Sequence, residues 1–154
     1  QLLYRILMYY KPTKLLVLGE DAATATETLR TTGELGRLKL WFFTPIAPIP
    51  GPIEIAYIAD KDKNAALATL EQILPHAGNN TLCIVDNIYA SSEMQEAWEA
   101  IKRHPKVTVT IDTYELGLVF FRREQANQHF TVRLSQSVLL NAMLGLQKLY
   151  GLLD

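Results

Sequence analysis

The chain has 154 residues, a formal net charge of −1, 49% hydrophobic and 20% charged residues. That is one domain's worth of chain, long enough to bury roughly 68–70% of its unfolded surface. The charge balance gives no electrostatic reason to expect nucleic acid or an anionic membrane as partner, and no run approaches the roughly 20 apolar residues that span a bilayer.

Gln1 stands where an initiator Met would, so the expectation is a chain that starts inside a longer protein, and the lack of a signal peptide carries no information. Over residues 2–10, Leu2, Leu3, Ile6, Leu7 and Tyr10 fall on one helical face. Lys11-Pro12 ends that helix, because proline disfavours helical geometry in the residue before it. Residues 14–18 are a short apolar run, as a buried parallel strand requires. Gly19-Glu20-Asp21 follows as a turn with a helix cap, and residues 22–35 read as a helix of moderate propensity because threonine is frequent. A second strand is expected over 38–43. Residues 44–52 then carry Pro45, Pro48 and Pro50 ahead of Pro52, which rules out regular structure.

Residues 53–59 form the third expected strand, and 63–74 a helix that turns Leu67, Leu70, Ile73 and Leu74 inward and exits at Pro75 and Gly78. The fourth strand, 81–85, is apolar throughout and contains the single cysteine, Cys83, which excludes an internal disulfide and reads as a small buried hydrophobe. A lone thiol is compatible with a reducing cytoplasm, the compartment expected here. Ser92 with Gln95 resembles a capping box, and Met94, Ala97, Trp98 and Ile101 give an amphipathic helical stripe. Strands over 106–112 and 116–122 are close enough in sequence for Thr113-Tyr114-Glu115 to join them as an antiparallel hairpin. Residues 135–154 read as a final helix with Leu139, Met143, Leu146, Tyr150 and Leu153 on one face.

Strands alternating with helices, closed by a hairpin, predict an α/β fold: a Rossmann-like, mostly parallel sheet of about six strands with an antiparallel edge. In such sheets ligands bind beyond the carboxyl ends of the strands. His76, His104 and His129 have no metal-ligand spacing, and no metal is expected.

Three strings carry a resemblance: Val85-Asp86-Asn87-Ile88, Glu93-Met94-Gln95-Glu96-Ala97-Trp98 and Gly117-Leu118-Val119-Phe120-Phe121-Arg122. They resemble the carboxyl half of class I S-adenosylmethionine-dependent methyltransferases, most closely a bacterial O-methyltransferase-like group, and the segment 1–19 is similar to that group's opening helix and strand. The resemblance implies a methyltransferase-like domain over 1–134, with 135–154 packed on it or on a partner copy in a homodimer. It implies S-adenosylmethionine as cofactor, a small-molecule acceptor, and contacts to the cofactor from Gly19, Glu20, Asp21, Thr44 and Asp60. Lys61, Asp86 and Asn87 would face the acceptor hydroxyl, Lys61 as its base.

The family's acidic-x-Gly-x-x-x-Gly loop appears here with Val17, Gly19 and Ala23, so only one of its three marked positions is kept. Thr44 stands where a carboxylate would hold the ribose diol, and Ile58 where a magnesium-binding Asp would precede Ala59-Asp60-Lys61. One helix–strand unit is missing, replaced by the proline segment, whose nine residues can reach about 31 Å and so cross one intervening strand. Bland roles stay open for the same residues: caps for Glu20 and Asp21, a surface lysine for Lys61, a strand-end turn for Asp86-Asn87. Two functions follow, a working O-methyltransferase or a catalytically inactive methyltransferase-fold module used in binding or assembly. A different nucleotide-binding fold is disfavoured because the Gly-rich fingerprint is absent. An open or filled crevice above Gly19, Thr44 and Asp60 separates the two, with Tyr89 and Trp41 the expected plugs.

Overall fold

The computed structural model describes residues 1–132. The helix expected over 135–154, and its place on the domain or on a second copy, lie outside the described residues.

The chain opens with α1 (Leu2–Tyr10), which Lys11 closes in the left-handed conformation, its N–H donating to the Leu7 carbonyl. Strand β1 (Lys14–Leu18) leads to α2 (Ala22–Leu35), then β2 (Trp41–Phe43) and β3 (Ile53–Ile58). Helix α3 (Lys63–Ile73) passes through a short 3₁₀ turn into β4 (Ala77–Val85), followed by α4 (Ser92–Lys102), β5 (Val109–Asp112), β6 (Gly117–Phe120) and β7 (Gln128–Thr131). The strands form a single seven-stranded sheet in the order β2-β1-β3-β4-β6-β5-β7. All neighbouring pairs are parallel except the two that β6 makes, with β4 and with β5.

Side-chain alternation divides the core in two. Leu15, Ile55, Tyr57, Ile84 and Leu118 face α1 and α2, whose Ile6, Leu7, Ala25 and Leu29 are buried against them. Leu16, Ala56, Ile58, Cys83, Val85 and Val119 face α3 and α4, which contribute Leu70, Ile73, Met94, Ala97, Trp98 and Ile101. With both faces covered, the central strands are apolar at nearly every position, which is why they read as continuous apolar runs. Each buried Leu or Ile contributes about 1.5–3 kcal/mol relative to exposure.

The expected α/β class, the mostly parallel sheet and the hairpin through residues 113–115 are found. Three details differ. The sheet has seven strands, not six: β7 adds to β5 as a parallel edge strand, with Gln128 N–H donating to the Thr108 carbonyl at 2.9 Å and Val132 N–H to the Asp112 carbonyl at 2.7 Å. The antiparallel strand β6 is not at the edge but between β4 and β5. Ser91, not Ser92, caps α4, its hydroxyl accepting from Met94 N–H at 3.1 Å, so the residue three places on is Met94 and no Glu or Gln closes a box. The proline segment crosses β1 alone, as its length permits, with no helix or strand between β2 and β3.

Candidate functional site

The carboxyl ends of β1, β3 and β4 bring the loop residues together. Gly19 has φ +119, and a Cβ there would sit 2.6 Å from the Ala59 carbonyl carbon and 2.7 Å from its oxygen. The loop after β1 therefore lies directly on the end of β3. Ala59 N–H donates to the Leu18 carbonyl at 2.8 Å and Asp21 N–H to the Ala59 carbonyl at 2.9 Å. Glu20 N–H donates to Asp60 Oδ1 at 3.1 Å. Asp60 is 7% exposed, and its other oxygen has no partner among the described residues.

Asp21 occupies the cap position of α2 without making a side-chain cap bond. Its carboxylate instead meets Lys61 Nζ at 2.8 Å. That bond and charge hold the exposed Lys61 ammonium above its ordinary pKa, whereas a lysine acting as a base needs the opposite shift. Asp62 is an α3 cap, accepting from Ala65 N–H at 2.9 Å. Thr44 is exposed in the proline segment.

A groove of about 1020 Å³ opens beside this loop, between α1 and α2, with Tyr57, Asp86, Asn87, Glu115 and Leu116 also on its lining. It brings together three of the expected site residues, Asp21, Asp86 and Asn87. Gly19, Glu20, Thr44, Asp60 and Lys61 do not line it. Neither expected plug closes a crevice: Trp41 is 68% exposed on the edge strand β2, and Tyr89 is 40% exposed, stacked on Tyr114 at 5.3 Å.

Tyr57, 5% exposed, was not singled out by sequence. Its hydroxyl donates to Asp86, which also accepts from the Asn87 N–H. Burial raises the Tyr57 pKa, and the charges of Asp86 and Glu115 add to it. Burial is likewise the largest effect on Asp86, raising its pKa from the ordinary 3.8; the Tyr57 and Asn87 bonds oppose it, and Glu115 and Asp21 reinforce it. The folded state thus holds this proton more tightly than the unfolded chain. The associated stability is fully present below the unfolded value and is lost as pH rises through the folded one. Asp86→Asn keeps an acceptor for both donors and removes the charge. It is expected to raise the melting temperature by a few degrees at pH 7 and by nothing at pH 3, in paired thermal melts.

A second carboxylate escaped the sequence reading. Asp112, 5% exposed, accepts from the Tyr89 hydroxyl, from Trp98 Nε1 at 3.3 Å and from Tyr114 N–H at 2.8 Å. The available signal was a buried tryptophan, whose indole N–H must find an acceptor. With three donors satisfied inside the protein, Asp112 is a structural carboxylate. Asn87, just after β4, and Tyr114, in the turn between β5 and β6, both have positive φ, 47 and 74.

His104 meets Glu71 at 2.9 Å and His129 meets Thr110 at 2.8 Å. Among the described residues no three His, Cys, Asp or Glu side chains are placed to hold a metal, and no helix is long and apolar enough to cross a membrane.

No family model matches the sequence, and no curated protein matches it. Solved structures do match the fold. A methyltransferase from Geobacter sulfurreducens superposes with TM-score 0.50 at 18% identity, over 78% of this chain and 76% of that one. A putative O-methyltransferase from Klebsiella pneumoniae gives TM-score 0.50 at 12% identity, over 79% and 78%. The O-methyltransferase TomG from Streptomyces achromogenes, involved in tomaymycin synthesis and solved with S-adenosylmethionine, gives 0.50 at 10% identity, over 79% and 78%. The chain has the class I methyltransferase fold, of the O-methyltransferase-like type.

Proposed function

We propose that this chain is a methyltransferase-fold binding module that takes a small molecule in the α1–α2 groove and does not transfer methyl groups. S-adenosylmethionine is the cofactor that the fold resemblance supports, and the residues at its expected position fit it poorly. The observation that carries the reading is the state of the loop after β1. The Glu20, Asp21 and Ala22 N–H groups already donate to Asp60, Ala59 and Gly19, so they are not free for a ligand. Thr44 offers one exposed hydroxyl where a ribose diol calls for a carboxylate, and no helix or strand lies between β2 and β3 to wall the adenosine.

A second reading, a working O-methyltransferase, is favoured by the backbone at Gly19, which keeps the glycine-only conformation of the loop. In it Gly19, Glu20, Asp21, Thr44 and Asp60 contact the cofactor, and Lys61, Asp86 and Asn87 face the acceptor hydroxyl. Calorimetric titration with S-adenosylmethionine and S-adenosylhomocysteine decides between the two. The binding-module reading expects a dissociation constant no tighter than about 1 mM, near −4 kcal/mol, and no transfer of a labelled methyl group. Micromolar affinity with transfer to any hydroxyl acceptor establishes the second reading instead.

A further inference from the structure

We infer that residues 133–154 of this chain lie in the α1–α2 groove, as a strap laid along its apolar wall. The place where the described residues end carries this. Strand β7 is parallel to β5, β5 is antiparallel to β6, and β6 is antiparallel to β4. Strand β7 therefore delivers the chain to the carboxyl end of the parallel strands, where Asp86, Asn87 and Leu116 line the groove. Thr131, Asp112 and Gly117 stand side by side on β7, β5 and β6. Val132 is thus two strand spacings, roughly 10 Å, from Leu116. Val132 is also 7% exposed and turned into the core layer that faces α1 and α2, so the chain leaves the sheet on the groove's own face.

The groove has the surface that the segment needs. Leu35, 74% exposed, and Tyr4, 40% exposed, line it with Leu2, Leu3 and Ala25. Apolar side chains left open together mark an interaction site. Residues 133–154 carry Leu139, Met143, Leu146, Tyr150 and Leu153 at the spacing of one helical face, and that stripe requires an apolar partner. Phe130, 43% exposed on β7, is a single ring and too small a surface for it. As a helix the segment is about 33 Å long, against about 21 Å for α2, the groove's wall. It covers the 10 Å to Leu116 and still runs the length of that wall. A second copy is not required, because a tethered segment meets the groove at an effective concentration on the order of millimolar. Arg133 and Lys148 against Asp154 give the segment the sign that suits a lining with Asp21, Asp86 and Glu115 beside Arg5. Where the groove takes a small molecule, as proposed above, that molecule enters by displacing the strap.

Thiol labelling of the full chain tests the strap without any ligand, so its failure leaves the binding-module reading standing. Cys83 is fully buried and, by staying unlabelled, reports that the domain is folded. Leu35→Cys places a thiol on the groove wall, and Asn80→Cys one at an exposed position in the first half of β4. Maleimide is expected to label Leu35→Cys at least about 10-fold more slowly than Asn80→Cys, because it reacts only when the strap opens. Leu139→Asp with Leu146→Asp is expected to bring the two rates to within about 2-fold and to leave Asn80→Cys unchanged. Leu146→Asp alone is read in the same way if Cys83 begins to label in the double variant. The protection is expected to be constant over about a 100-fold range of protein concentration. Equal rates with the segment unaltered, or protection that survives the aspartates, overturns the inference. Protection that grows with protein concentration overturns it as well, since a second copy then covers the groove.

Discussion

Gly19→Ala is expected to destabilise the protein by about 3–5 kcal/mol, from two independent effects. At φ +119 an L side chain is strained, at about 1–3 kcal/mol. The new Cβ also lies 2.6–2.9 Å from the Ala59 backbone carbon, oxygen and nitrogen, and backbone atoms cannot rotate aside as the end of a side chain can. Relief requires the loop to lift from β3, which pulls on the Ala59-to-Leu18, Asp21-to-Ala59 and Glu20-to-Asp60 hydrogen bonds together. The loss is a large part of the 5–15 kcal/mol that holds a typical domain. Urea unfolding checks it: a lower midpoint at unchanged slope is the expected signature. Gly51→Ala is the control. Its φ is +75, but the nearest atom is the end of the Lys14 side chain at 3.5 Å, so only the conformational part, about 1 kcal/mol, should appear. A Gly19→Ala cost as small as the control's would mean that the glycine serves something other than the closure of the loop on β3.

The distinction matters because the same glycine is the one cofactor-loop position that this sequence keeps. Its retention looks like a trace of cofactor chemistry, yet the backbone contact with Ala59 is sufficient to require it. Sequence made the parallel strands legible for a related reason. Leu82 to Val85, buried on both faces, can only be an unbroken apolar run. Strand β7 was hidden because an exposed edge strand has no such constraint: Gln128, His129, Phe130 and Thr131 are all exposed, and backbone pairing with β5 needs no particular side chain. The first residues of β4 were hidden by the irregularity between Ile53 and Ile55, where pairing jumps from Ala77 to Leu82 and leaves Asn79 and Asn80 outside.

The candidate site was legible as a set of strand ends but not as a set of neighbours. Asp86 and Asn87 meet Asp21 because α2 returns along the same groove. Thr44 leaves with the proline segment, and Lys61 turns outward to Asp21. Tyr57 was invisible because a tyrosine inside a strand reads as core; only the partner that its hydroxyl finds, Asp86 at the end of the adjacent strand, shows otherwise. Trp41 and Tyr89, the expected plugs, are exposed instead. Strand β2 is an edge of the sheet, which leaves Trp41 exposed, and Asp112 holds the Tyr89 hydroxyl.

Gly117→Ala is expected to cost about 2–4 kcal/mol, and most of that should vanish when Trp98 is made smaller. A Cβ at position 117 would stand 2.5, 2.7 and 2.9 Å from Cζ3, Cη2 and Cε3 of Trp98. Neither side can yield. Trp98 is 1% exposed and its indole N–H is committed to Asp112. Gly117 is paired on both sides, with Val85 of β4 and Asp112 of β5. Trp98→Leu alone should cost about 3 kcal/mol through the cavity it leaves and the donor Asp112 loses. The double variant should then be more stable than the sum of the two losses predicts, by at least about 1 kcal/mol, the coupling expected of residues in contact. Additive losses would show that the indole and the glycine do not constrain each other. If the coupling is found, two anchors of the sequence resemblance, the tryptophan of the α4 string and the glycine that opens the β6 string, are explained by one packing contact. The most specific part of the match to methyltransferases is then a requirement of the sheet and says nothing about methyl transfer. That is why the fold could be read from this sequence while the proposed function rests on the groove.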